Sequence, residues 1–233
     1  MMIATTKITI QADVLSILII STLILLFIFV VNRKVKQANP LQKPKGIVSL
    51  SMMMVEAMTK FTKENMNHYT SQNYAPYVTV LAIYLLLSNI SGLFGISQPT
   101  KNFSVTFTLA LVTFILIQRA TIKTVGIKGF IKSFFEPHPL FFIMNFFGKI
   151  APVISMSVRL FGNITSGSII MLLLYGFTYY LSSFVPFLGH INFIGPLIAP
   201  FFHFYFDLFI GAIQMFIFIS LTTVFIGNEL TSN

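Results

Sequence analysis

The sequence predicts an all-α polytopic membrane protein, with about five spanning helices and one further helix at the membrane surface. Of its 233 residues, 55% are hydrophobic and only 9% are charged, against roughly 25% charged residues in an average soluble domain. The mean hydropathy is +0.85, and the charges are clustered, which leaves long uncharged windows. Because a spanning helix needs about 20 residues, the chain has room for five or six spans. An ordinary cytosolic enzyme is excluded.

The first predicted span covers residues 14–31, which carry no charge. Basic residues follow this span, whereas a cleaved signal peptide carries them in front, so we expect a retained span. Basic residues mark the cytoplasmic side, which places the N-terminus outside. Within residues 47–61 the apolar positions follow helical spacing beside Glu56 and Lys60, and this pattern predicts a surface helix. Residues 1–72 are therefore expected to form an N-terminal region of one span and one cytoplasmic surface helix.

The second and third spans are predicted at about residues 77–96 and 103–118. The turn between them contains one basic residue, Lys101, which favours an outside location. Four basic residues follow the third span and predict a cytoplasmic loop: Arg119, Lys123, Lys128 and Lys132. The charge bias of all three spans thus agrees on one orientation.

The remaining sequence predicts two long helices, at about residues 146–181 and 194–226, joined as a hairpin. Both helices exceed the length that one perpendicular crossing needs, so we expect them to tilt or to kink at Pro152, Pro196 or Pro200. We expect residues 73–233 to form one helical membrane domain that contains this hairpin, at about 146–227. The C-terminus is then cytoplasmic.

Two ionisable residues lie deep inside the predicted hairpin helices, Arg159 and Asp207. A central Arg or Asp costs about 2.5–3.5 kcal/mol on insertion scales, and such residues usually mark a transport pathway. One alternative is an intramembrane ion pair between the two residues. The other, which we favour at least for Arg159, is a role in transport.

Polar residues near these charges recur at helical spacing and form a stripe on each helix. The first stripe consists of Ser155, Arg159, Asn163 and Ser166, and the second of His203, Asp207, Gly211 and Gln214. We interpret the two stripes as a wet, proton-conducting lining. Simple hydrogen bonding between the helices is the alternative for the two amide side chains, and a solvated interfacial position is the alternative for the histidine.

Residues 155–163 read SMSVRLFGN, which closely resembles the "SLxLRLFGN" signature of subunit a of rotary F-type ATP synthases. Residues 211–218, GAIQMFIF, resemble the "G-x-I-Q-A-F-I-F" run on the last helix of that family. Two weaker resemblances lie in the same order as in the family, at residues 87–93, which include Asn89, and at residues 99–105. The resemblance covers about residues 75–228.

This resemblance implies a stator subunit whose long hairpin lines a rotating c-ring, with two offset half-channels that couple proton flow to rotation for ATP synthesis. Arg159 matches the essential arginine of the family, and Asn163 and Gln214 match its polar companions. Many members have Glu and His where this chain has Ser168 and Asp207. We therefore expect Asp207 to titrate and Ser168 only to line the channel. The remaining expected site residues are Ser155, Asn89 and His203.

The implied partners are the c-ring, the peripheral-stalk b subunits and the lipid bilayer. We expect no cofactor, metal, nucleic acid or directly bound nucleotide, and no catalytic activity from the chain alone. A bacterial plasma membrane is the favoured location, and an organelle inner membrane is the alternative. Two alternative functions remain from the sequence: a secondary transporter or channel for an anionic substrate bound by Arg159, and a structural scaffold that would tolerate the loss of this arginine.

Overall fold

The computed structural model describes residues 12–37, 45–66, 68–184 and 192–231. In these ranges the chain is all-helical, with 91% helix and no strand. Five of the described helical segments are long and apolar enough to cross a membrane. The predicted fold class, a polytopic all-α membrane protein, is therefore confirmed.

The N-terminal part contains α1 (Ala12–Gln37) and α2 (Ile47–Asn65), and it leads into α3 (His68–Ile90). Helix α1 contains the predicted first span. The predicted helix after it is confirmed as α2, which is not one of the five candidate spans. Its location at the membrane surface stays a prediction, as does the domain boundary near residue 72.

Helix α3 ends in a 3-10 turn, Ser91–Phe94, and a second turn, Pro99–Lys101, leads into α4 (Phe103–Lys132). The prediction of a loop after residue 118 is wrong, because the four basic residues that follow lie on α4 itself. An apolar window ends at the first charge, whereas the backbone hydrogen bonds of a helix can continue past charged residues. The break lies later, at Gly126, where a φ of 72° interrupts the helical geometry.

The predicted hairpin consists of α5 (Phe142–Ser183), α6 (Ile194–His203) and α7 (Gly211–Thr231), and its connecting residues 185–191 lie outside the described ranges. At 1.5 Å per residue, the 42 residues of α5 extend over about 63 Å, twice the hydrocarbon thickness. Pro152 lies inside α5 and Pro200 inside α6. Shortly after Pro200, a π-helical segment, Phe204–Ile210, joins α6 to α7.

The apolar core lies where α3, α4, α5 and α7 meet. It includes Leu85, Ala110, Leu160 and Phe218, each at most 1% exposed. Helices α1 and α2 flank α3. This core fixes α5 against α7, and it thereby sets which residues of the two polar stripes can meet.

Several helix ends lie together on one side of the molecule. The hydroxyl of Thr121 on α4 donates to Glu229 Oε2 on α7 at 2.8 Å. A Cβ at Gly227 would overlap the carbonyl oxygen of Asn65, so the end of α7 also touches the end of α2. The basic end of α4 and the C-terminal ends of α2 and α7 therefore share one side.

Candidate functional site

Arg159 lies on α5, 17 residues after its first residue and therefore about 25 Å along the helix. Its side chain is exposed at the surface of this chain. Among the described residues, its hydrogen-bond partner is Ser155, whose Oγ accepts from Nη2 at 3.4 Å one turn earlier. Arg159 and Ser155 thus share a lateral face of α5 that other helices of the described chain leave open.

One turn further along α5, Asn163 joins the helix to α7. Its Nδ2 donates to Gln214 Oε1 at 2.7 Å. Asn163 is exposed, whereas Gln214 is 1% exposed. The two predicted polar stripes therefore do meet, and this amide pair joins them.

Asp207 lies in the π-helical segment, where it contacts two neighbours through different oxygens. Its Oδ2 is 2.6 Å from His203 Nδ1, one turn earlier. Its Oδ1 accepts from Gln98 Nε2 at 3.0 Å. Among the described residues, Asp207 therefore contacts His203 and Gln98 and forms no ion pair with Arg159, so the ion-pair alternative is wrong.

His203 is hydrogen-bonded through both ring nitrogens. Its Nε2 lies 3.1 Å from the hydroxyl of Tyr175 on α5, and its side chain is 33% exposed. Next to it lies an open cavity of about 340 Å³ lined by Gly92, Leu93, Pro200, His203 and Phe204. The histidine thus lies between this cavity and the carboxylate.

Asn89 lies at the end of α3 and is fully buried. Its Nδ2 donates to the carbonyl oxygen of Gly211 at 2.9 Å, and its Oδ1 accepts from Thr100 Oγ1 at 3.0 Å. Its backbone carbonyl accepts from Gln98 Nε2 at 2.6 Å. These contacts extend the hydrogen-bond network from the π-helical segment into the protein. We call this set the Asp207 network; it comprises Tyr175, His203, Asp207, Gln98, Asn89 and Thr100.

Two glycines allow the helices of the Asp207 network to approach closely. A Cβ at Gly211 would lie 2.9 Å from the Cβ of Asn89, and one at Gly92 would lie 2.6 Å from Gln98 Nε2. Real Cβ contacts are longer than this, so a larger residue at position 211 would push α3 away from α7, and one at position 92 would displace the side chain of Gln98. The glycine of the predicted second stripe thus has a packing role.

The structure places seven of the eight predicted site residues in three sets. Asp207, His203 and Asn89 belong to the Asp207 network, and the two amides form their own pair. The third set, Arg159 and Ser155, lies on the exposed face of α5. Half-buried Ser168 donates to the carbonyl of Ile164 on its own helix, at 2.9 Å. Its role in lining a channel stays a prediction.

Sequence reasoning missed three members of the Asp207 network: Gln98, Thr100 and Tyr175. Gln98 and Thr100 lie in the short turn between two spans, where no periodicity applies. The only signal was the weak family resemblance of residues 99–105, which includes Thr100. Tyr175 lies on α5 but is one of many aromatic residues there, so its type alone did not distinguish it.

Comparison with known proteins supplies the family. The sequence profile described as ATP synthase A chain matches residues 14–227. The "ATP synthase subunit a" of Mycoplasma pneumoniae is 33% identical over 220 residues, covering 86% of this chain and 73% of that protein. The protein of the same name from Streptococcus agalactiae is 30% identical, covering 89% and 85%. The "ATP synthase subunit a, sodium ion specific" of Propionigenium modestum is 36% identical, over 68% of this chain and 55% of that protein.

Proposed function

The chain belongs to the ATP synthase A chain family, and from this membership we propose that it is the proton-conducting stator subunit of an F-type ATP synthase. It carries protons through two offset half-channels to and from carboxylates on a rotating c-ring, and it is not catalytic alone. The observation that carries this proposal is the exposed guanidinium of Arg159, far along a spanning helix.

The exposed position of Arg159 supports an interface with another chain. A guanidinium that faced hydrocarbon would cost several kcal/mol, so it needs a polar partner or water in the assembled membrane. Its contact with Ser155 is long, at 3.4 Å, and leaves most of its five N–H donors available to an incoming carboxylate. A carboxylate on a passing ring is a partner of the right charge and geometry.

The arginine then acts as a fixed charge. Its pKa exceeds about 12, so it stays protonated at any physiological pH. It favours the ionised form of a ring carboxylate, which must release its proton to one half-channel before it reaches Arg159 and can take up another only beyond it. The same charge repels protons and blocks a direct leak between the half-channels. The driving force is about 2.3 kcal/mol per proton for each 100 mV of membrane potential.

The Asp207 network is the proposed proton path from the outer side. Water in the cavity beside His203 supplies the proton. His203 Nδ1 and Asp207 Oδ2 lie 2.6 Å apart, within hydrogen-bond distance, so a proton can transfer between them. Gln98 and Asn89 cannot titrate at neutral pH, so we assign them positioning roles. They orient the carboxylate of Asp207 and hold α3 closely packed beside the path.

The amide pair of Asn163 and Gln214 has a related positioning role. It ties α5 to α7 one turn away from Arg159, and it thereby fixes the height at which the guanidinium meets the ring. Ser168 lies on α5, about one turn beyond Asn163. The partners in this proposal are the c-ring, the peripheral-stalk b subunits and the bilayer.

We further propose that the chain lies in a bacterial plasma membrane, with its N-terminus outside and its C-terminus in the cytoplasm. The shared side of the helix ends supports this orientation. The contact between Thr121 and Glu229 brings the end of α7 beside the basic residues of α4. Lys101 lies in the turn at the opposite end of α4. A concentration of Lys and Arg on one side is the usual mark of the cytoplasmic face.

The proposal is tested by ATP-driven acidification of inverted membrane vesicles that contain the assembled complex, followed with a pH-sensitive dye. We expect Arg159→Ala to abolish acidification while a blot shows normal assembly. Arg33→Ala, which removes an exposed arginine at the end of α1, is the matched control and should acidify normally. Undiminished acidification by Arg159→Ala would refute the stator mechanism and favour a transporter for an anionic substrate.

A further inference from the structure

We propose that Asn192 is a positioning residue for the proposed proton path, because its side-chain amide fastens the first turn of α6 to the end of α5 and thereby holds His203 against Tyr175. The inference rests on the proposed function, which makes the contact between Tyr175 and His203 part of that path. Asn192 lies two residues before α6. None of the four runs that resemble the family contains it, so its role follows from its contacts.

The amide of Asn192 contacts the last turns of α5 through three residues. Its Nδ2 donates to the carbonyl oxygen of Tyr175 at 3.3 Å and to Thr178 Oγ1 at 3.1 Å. Its Oδ1 accepts from Ser182 Oγ at 3.5 Å. Thr178 and Ser182 are at most 1% exposed, so these contacts lie inside the interface between the two helices.

The same amide also binds the start of α6. Its Oδ1 accepts from the backbone N–H of Gly195 at 2.8 Å, and the N–H groups of a first helical turn have no partner within their own helix. A Cβ at position 195 would lie 2.5 Å from Asn192 Nδ2 and 2.9 Å from its Cγ. Alanine favours a helix more than glycine does, so the close approach of the amide accounts for this glycine. We call this set the Asn192 clamp; it comprises Asn192, Gly195, Tyr175, Thr178 and Ser182.

The Asn192 clamp affects His203 because Tyr175 contacts both residues. The carbonyl oxygen of Tyr175 accepts from Asn192, and its hydroxyl lies 3.1 Å from His203 Nε2. Helix α6 has 10 residues and contains Pro200, and a helix of this length is marginally stable without packing. The contacts at its two ends therefore set its position on α5. Without the Asn192 clamp, α6 can shift, and His203 then loses the partner that orients its ring for transfer to Asp207.

Asn192→Ala should slow passive proton flow through the membrane sector about threefold to tenfold, as expected for the loss of a hydrogen bond. Thr178 and Ser182 also donate to carbonyl oxygens of α5 itself, at 3.1 and 2.8 Å, so we expect the variant to assemble. Flow is measured after a potential is imposed on vesicles that contain the assembled complex and are stripped of the soluble sector. It is normalised to the amount of this chain on a blot.

Gly195→Ala tests the Asn192 clamp without removing the amide. The added methyl group displaces the side chain of Asn192, so flow should slow by a similar factor although alanine favours the helix. Gly176→Ala on α5 is the matched control, because a Cβ at position 176 meets nothing within 4 Å. Its flow should equal that of the parent.

Two double substitutions distinguish positioning from a general loss of stability. Asn192→Ala with Gly195→Ala should be no slower than Asn192→Ala alone, because no amide remains to be displaced. Asn192→Ala with Asp207→Asn should be no slower than Asp207→Asn alone, because the Asn192 clamp acts through the path that Asp207 completes. Additive slowing in either double variant, or parental flow in Asn192→Ala while Asp207→Asn is slow, would overturn the inference and leave the proposed function standing. Parental flow in Asp207→Asn would refute the proposed path and the inference with it.

Discussion

The two charges inside the hairpin, Arg159 and Asp207, have opposite surroundings. Asp207 has two partners from its own chain, at 2.6 and 3.0 Å, and its side chain is 15% exposed. Arg159 is exposed and has one described partner, on its own helix, at 3.4 Å. The described chain thus provides polar partners around Asp207 and leaves the surroundings of Arg159 open.

This difference indicates where a second chain is needed. A charge inside a membrane is tolerated when a partner or water compensates it. Asp207 has such compensation within the fold, so its role can be internal to this subunit. Arg159 has only the long contact with Ser155 among the described residues, which is why the proposed function assigns it a partner on another chain. The substitutions below test this division, starting with the largest expected effect.

Arg159→Lys should lower ATP-driven proton transport by about a hundredfold or more, as expected when a preorganised charge is lost at a reacting centre. A lysine keeps the positive charge only while it is hydrated, and it lacks the planar fork that binds a carboxylate. The measurement is dye-detected acidification in inverted vesicles, and Arg33→Lys is the control. Transport close to the parental rate would mean that the exposed face needs only a positive charge.

Asp207→Asn should slow passive proton flow through the membrane sector by about tenfold to a hundredfold, because an amide cannot relay a proton. Asp207→Glu keeps a titrating group and should remain within about threefold of the parent. Flow is measured in vesicles stripped of the soluble sector after a potential is imposed. Equal rates for Asp, Asn and Glu would make the residue structural and would end the contrast with Arg159.

Gln98→Leu should slow the same passive flow by about three- to tenfold, because a typical hydrogen bond contributes about 0.5–1.5 kcal/mol. The substitution removes the donor that Asp207 Oδ1 and the Asn89 carbonyl share. Gln72→Leu, at an exposed position of α3, is the control and should have no effect. If passive proton flow through both variants equals the parental rate, His203 alone positions the carboxylate of Asp207.

The spans could be predicted from the sequence because a membrane requires about 20 apolar residues at each crossing. Structural features that this requirement does not determine were harder to predict. The extension of α4 past Gln118 is stabilised by backbone hydrogen bonds that do not depend on hydropathy. The π-helical segment was missed as well, since helical spacing alone favours a regular stripe from His203 to Gln214.

The candidate site was predictable where its residues share a helix. The i, i+4 spacing of His203 and Asp207 and of Ser155 and Arg159 is visible in the sequence, and both pairs are in contact. Gln98, by contrast, meets Asp207 across 109 residues. Such a contact depends on how the packed helices bring a turn next to a widened helix, and no local pattern encodes it.

The π-helical segment has a consequence for chain length. Each residue of an α-helix turns the chain by about 100°, so the loss of one residue between Asp207 and Gly211 would rotate α7 by about that angle relative to α6. Gln214 would then turn away from Asn163 while Asp207 kept its place beside His203. The register of these seven residues therefore sets the angular offset between Asp207 and the face of α7 that carries Gln214. At this point of the fold, the number of residues matters as much as their identity.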